Sequence, residues 1–189
     1  MKKILFISFL VFHFSCASKI FIDKFLNKPF KTKKQTINEL RFNGAYYNID
    51  KRSKVLNVLF FYENYLSRSL VFDTNHYDQK KIKYSINLTL EKFRVSKKKS
   101  YEHFEDGGYR LTENEISIQK IRYIPQFAWG VVTYNGKIIN DTTILITEFK
   151  FPKRNIFISD SMYYHFIEVE RPDSLKSNRW LKKKWYWND

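Results

Sequence analysis

The chain has 189 residues, with 34 Lys and Arg against 19 Asp and Glu, a net charge of +15, and aromatic rings at 19% of positions. That ring content excludes a disordered chain, which lacks the apolar surface to offset its conformational entropy; the length suits one domain, or a domain plus a tail. Five glycines and four prolines exclude collagen-like and Pro-rich classes, and a single cysteine excludes an intrachain disulfide framework and a multi-thiolate zinc site. The first element begins with Lys2 and Lys3, followed by an apolar run from Ile4 to Phe14 and the small residues Ser15-Cys16-Ala17-Ser18, the three-part plan of an export signal. A membrane span is excluded here. The run reaches only about 16 Å at 1.5 Å per residue, against a hydrocarbon core about 30 Å thick.

The one cysteine, Cys16, stands where the apolar run ends, with Ser15 before it. This junction resembles the lipobox of bacterial lipoproteins, although His13 and Phe14 occupy positions where that family prefers an aliphatic and then a small residue. The resemblance implies removal of residues 1–15, lipidation of Cys16 and attachment to a membrane through that lipid. Ala17, rather than Asp, after the cysteine implies the outer membrane, and the absence of an acidic cluster there implies its periplasmic face. Ser15-Cys16-Ala17 also reads as an ordinary small-x-small cleavage site. A cut after Ala17 would discard Cys16 and release a soluble protein.

Residues 16–39 follow as a tether, since Lys28, Pro29, Lys31, Lys33 and Lys34 break any apolar period and leave a basic spacer. From residue 40 to 175 the texture is that of a β-rich domain. The segment Arg41 to Tyr47, the run Val55 to Tyr62 and the run Leu66 to Phe72 carry aromatic and β-branched residues between short polar turns, the signature of an antiparallel meander. Asp78 to Lys99 holds neither Gly nor Pro; Ile82, Ile86, Leu90 and Phe93 fall on one helical face, and a strand of that length is unusual. The spacing predicts a helix near residues 78–97. His103-Phe104-Glu105-Asp106 reads as a charged, solvated loop.

Alternation returns at Ile116 and Ile118, and Trp129 to Tyr134 runs into Asn135-Gly136, the strongest short hairpin signal in the chain. Thr142 to Phe149 and Tyr163 to Val169 complete a set of roughly eight strands. The expected fold is a β-rich α+β class: an antiparallel meander open to closure as a small barrel, with one main helix. The aromatic start Arg41 to Tyr47, the segment Ile139 to Ile144 and the late stretch His165-Phe166 with Arg171 to Ser174 resemble small, uncharacterised lipoproteins of Gram-negative bacteria. That resemblance spans residues 40–175 and implies a compact single-helix domain, with a lipocalin-like barrel as its form. It implies no activity.

Catalytic patterns are sparse. His76, His103 and His165 have no second histidine at metal-ligand spacing, no H-E-x-x-H or G-x-S-x-G occurs, and the glycines form no phosphate loop. No catalytic residue, metal site or cofactor is expected. His165 reads as a partly buried strand histidine, with Glu168 and Glu170 on one face of the same strand. These three residues are the candidates for the alternative reading, a hydrolase of envelope polymers. Residues 176–189 form a basic aromatic tail, in which Trp180, Lys182, Lys183, Lys184, Trp185 and Trp187 suit contact with an anionic surface. Export disfavours nucleic acid as the partner of this positive charge. Anionic lipid or an acidic envelope polymer fits better, alongside a small apolar ligand for the domain itself. The sequence thus predicts an envelope lipoprotein that binds a ligand or partner without catalysis.

Overall fold

A computed structural model describes residues 40–50, 52–63, 65–73, 81–95, 104–124, 128–151, 156–159 and 161–172. The expected leader, Cys16, the tether and the tail with its three Trp and three Lys candidates lie outside the described residues, as do His76 and His103.

The described elements are β1 (Ala45–Asp50), β2 (Val55–Phe61), β3 (Leu66–Asp73), α1 (Ile82–Val95), β4 (Phe104–Thr112), β5 (Glu115–Ile124), β6 (Ala128–Asn140), β7 (Thr143–Phe151), β8 (Ile156–Ile158) and β9 (Met162–Ile167). Each strand from β1 to β7 pairs antiparallel with the next. β9 then pairs with both β1 and β7, which closes the sheet into an eight-stranded barrel. β8 lies against the end of β7, where Phe149 faces Ile158, and β9 continues along the same edge, where Ile146 faces Met162. β8 and β9 thus follow one another along the same edge of β7. Closure removes most of the unpaired sheet edge, a hazard in an all-antiparallel sheet.

Period-two alternation sends one set of side chains inward and the other outward. The inward set forms one apolar cluster that includes Tyr46, Leu59, Phe61, Tyr109, Ile116, Ile118, Ile144 and Tyr164. Its rings meet edge to face, with Tyr46 and Phe61 at 5.7 Å and Phe61 and Tyr109 at 5.0 Å between centroids. This packing fills the end of the barrel where β1 begins and β9 ends, and Leu40 and Phe42 pack against it. Two buried hydroxyls there are tied to backbone: Tyr46 Oη donates to the Asp141 carbonyl at 2.7 Å and Tyr109 Oη to the Tyr62 carbonyl at 2.8 Å. Burial pushes the Tyr46 hydroxyl up to about 12. Beyond β9 the chain stays at this rim, where Arg171 Nη1 donates to the Phe61 carbonyl and Tyr62 Oη donates to the Pro172 carbonyl.

The outward set of β1 to β3 is covered as well. Leu56, Val58, Phe60 and Leu70 form a second cluster with Ile86 and Leu90 of α1. The helix therefore lies on the outside of the barrel, with Ile82, Ile86 and Leu90 on its sheet-facing side as their spacing predicts. Ser85 and Thr89 are also buried, and their hydroxyls donate to the carbonyls of Lys81 and Ser85 one turn back. No helix among the described residues is long and apolar enough to cross a membrane.

Three sequence expectations change. Asn135-Gly136 is not a hairpin turn; it lies inside β6, at a register shift against β7, and the β6–β7 turn is made by Asp141 and Thr142. The physical reason is a close approach. A Cβ on Gly136 would stand 2.1 Å from the Leu145 carbonyl oxygen, so the glycine serves a bulge instead of a turn. Asn135 meanwhile accepts from Ser117 Oγ and donates to Glu148. The charged loop expected around Glu105 and Asp106 is strand β4. Asp106 is buried on the outer face with Arg68, Nε to Oδ1 at 2.7 Å, and cross-strand pairing of opposite charges makes a strand of a segment that reads as polar. The last strand ends at Ile167 rather than Val169, since its ladder with β1 stops at the Ala45–Ile167 pair, and Val169 packs beyond it in the outer cluster.

Candidate functional site

Opposite the filled rim, the inward side chains change character. On β3 the inward positions are Ser67 and Ser69, on β4 Glu105 and Gly107, on β5 Lys120 and Arg122, and on β6 Gly130 and Val132. Two rungs of the ladder carry them. Ser67 pairs with Gly107 and Gly107 with Lys120, which pairs with Val132; Ser69 pairs with Glu105 one step nearer the mouth, and Arg122 pairs with Gly130. Half of these are serine or glycine, in a barrel of a size whose interior side chains can fill or one small ligand can occupy.

Glu105 is the hub. Ser69 Oγ donates to its Oε2 at 3.2 Å, Arg122 Nε pairs with its Oε1 at 2.8 Å, and Lys120 Nζ stands 4.0 Å from Oε2. Lys120 is only 5% exposed, and its ammonium lies over the Tyr134 ring, 4.5 Å from the centroid. Burial pushes this lysine down to about 8; the Glu105 carboxylate opposes the shift and the nearby Arg122 adds to it. The Arg122 side chain is 44% exposed and marks the mouth. Burial, with a lesser push from the Glu105 charge, holds the hydroxyls of Tyr134 and Tyr164 above the ordinary tyrosine range.

Two polar groups here have unused bonding capacity. Ser67 is 2% exposed and its Oγ has no hydrogen-bond partner among the described residues. The Lys120 ammonium carries three donors but meets, among the described residues, only the 4.0 Å carboxylate and the face of a ring. Gly107, between them on the same rung, cannot be filled in: a Cβ there would stand 1.9 Å from the Gln119 carbonyl oxygen. The β4 and β5 backbones thus approach closely between a buried hydroxyl and a buried ammonium.

The residues singled out from sequence for the hydrolase reading lie elsewhere. His165 is exposed on the outer face of β9, its ring 6.2 Å from that of Tyr47, not partly buried as expected. Inward positions of β9 go to Met162, Tyr164 and Phe166. Glu168 and Glu170 follow the end of the strand and are exposed. Among the described residues no group of three or more His, Cys, Asp or Glu could hold a metal. Sequence reading gives no reason to choose Lys120 or Arg122; the signal that points to them is the phase of β5, where Ile116, Ile118, Lys120 and Arg122 share one face. In comparisons with known proteins, no family model, no curated protein and no solved structure matches the chain.

Proposed function

We propose that this protein is a lipid-anchored component of the bacterial cell envelope whose barrel binds a small ligand without transforming it. The observation that carries the binding half is the pair Lys120 and Ser67, two buried polar groups with open bonding capacity on the inner wall of a closed barrel. A structural core would satisfy both. The anchoring half rests on the resemblance of Ser15-Cys16 to a lipobox. Two or three acyl chains on Cys16 bury far more methylene than the single chain that gives only marginal binding. In this reading the attachment is to the outer membrane, on its periplasmic face, and the tail lysines and tryptophans add contact with anionic lipid or acidic polymer.

The test is intact-mass and peptide mass spectrometry of the protein recovered from its native host. The expected result is a mature chain beginning at Cys16, with a mass increment of several acyl chains, and transfer of a Cys16→Ser variant to the soluble fraction. A chain beginning at Ser18, or an unmodified Cys16, overturns the anchoring. Binding is tested separately below.

A further inference from the structure

We infer that the ligand carries a single carboxylate on a compact apolar body, with the carboxylate seated against Lys120 and within reach of Ser67. The inference rests on reading the barrel as a binder and narrows it to a ligand class. Three features of the wall select that class.

The first is the balance of donors and acceptors. Glu105 is already engaged by Ser69, Arg122 and Lys120. What remains open is the Lys120 ammonium and the Ser67 hydroxyl, so the wall calls for an acceptor. The second is charge. Two cations, Lys120 and Arg122, face one carboxylate, Glu105, and the tyrosines that face them from β6 and β9, Tyr134 and Tyr164, are neutral. One positive charge is left over in a buried place. A monoanion neutralises it, a dianionic phosphate overshoots it, and a neutral alcohol leaves it uncompensated. The third is shape. Tyr46, Phe61, Tyr109 and Tyr164 close the far end, so the body of the ligand has to remain in the mouth half. The surfaces there are apolar: Val132 and Ile118 lie next to the lysine on the inner wall, Tyr134 meets Phe149 edge to face at 5.0 Å, and Phe149 meets Phe151 at a tilt at 5.7 Å.

The probes are hexanoate, 1-hexanol and inorganic phosphate, titrated into the full chain by calorimetry, with the Lys120 side chain followed by NMR of 13Cε-labelled lysine. The expected result is saturable binding of hexanoate with a shift of the Lys120 signal, and at least tenfold weaker binding of hexanol and of phosphate. Lys120→Met is expected to lose hexanoate binding at least tenfold while retaining weak hexanol binding. Lys137→Met, which removes an exposed lysine of β6, should leave binding unchanged. Near-UV circular dichroism checks that the variants are folded. If Lys120→Met is not folded, Ser67→Ala and the wild-type Lys120 shift decide between the outcomes. Equal binding of hexanoate and hexanol, or hexanoate binding indifferent to both Lys120→Met and Ser67→Ala, overturns the carboxylate class and leaves the barrel a binder of apolar ligands. Tightest binding of phosphate also overturns it. If no probe binds and no interior signal moves, the ligand reading of the barrel falls as well.

Discussion

At Lys120 an ammonium has been taken out of water and given one carboxylate at 4.0 Å and one aromatic face in exchange. Desolvation outweighs that compensation, which is why its proton is held more weakly than in the unfolded chain. The consequence for stability follows from linkage. Below about pH 8 both states are protonated and the folded state bears the full cost. Between about 8 and the ordinary lysine value of 10.5, the unfolded chain keeps a proton that the folded chain has released, so stability rises with pH. Above about pH 10 the buried tyrosines act in the opposite sense. Tyr134, Tyr164 and Tyr109 keep their protons in the folded state after the unfolded chain has lost its own, and stability falls. Urea unfolding should therefore show a maximum near pH 9 to 10. Replacing the ammonium with an unbranched apolar chain leaves Glu105 its bonds to Arg122 and Ser69. Lys120→Met is thus expected to raise stability at neutral pH by about 1–3 kcal/mol and to remove the rise between pH 8 and 10. A variant less stable than wild type at pH 7, or one that keeps the rise, would show that Lys120 does not bear this cost.

Among the elements, α1 is the one whose contribution can be isolated. It touches the barrel through a narrow stripe, and Ile86 is its fully buried member. Ile86→Ala is expected to cost about 3 kcal/mol, through lost transfer energy and the cavity left behind. Tyr84, two residues away and 63% exposed, should tolerate alanine within about 0.5 kcal/mol. Chemical denaturation of the two variants checks the contrast, and equal effects would mean that the stripe does not hold the helix to the sheet. The helix was legible in the sequence because its apolar residues recur at helical spacing over a stretch free of Gly and Pro. Strands β1, β2, β3 and β7 were legible for the matching reason, with β-branched and aromatic residues between polar turns. β4 was not, because its outward Asp106 is neutralised by Arg68 from a strand 38 residues earlier, a pairing that local composition does not reveal. Asn135-Gly136 misled because the same dipeptide serves a turn and a bulge, and only the proximity of the Leu145 carbonyl distinguishes them. The candidate site was hidden for a related reason. Serine, glycine, glutamate and lysine at its positions look like ordinary surface residues until closure of the barrel turns that face inward.

For the molecule as a whole, β9 is the keystone of closure. It alone joins β1 to β7, through the pairs Tyr46 with Phe166 and Ile144 with Tyr164. Its pairs with β1 join opposite ends of the domain's sequence, and contacts of that kind form slowly because a long loop must close first. Deleting Met162–Ile167 would expose the inner faces of β1 and β7 together. The expected result is loss of near-UV circular dichroism and of a cooperative thermal transition, whereas a deletion that keeps a sharp transition would show that the remaining strands form a stable sheet by themselves.

Closure also gathers the two ends of the described chain. β1 starts, and β9 ends, at the rim packed with tyrosine and phenylalanine, so Leu40 and Pro172 stand on one side of the barrel and the exposed Arg122 on the other. A label or fusion placed next to either end would therefore meet the packed rim and leave the lysine–glutamate–arginine group untouched.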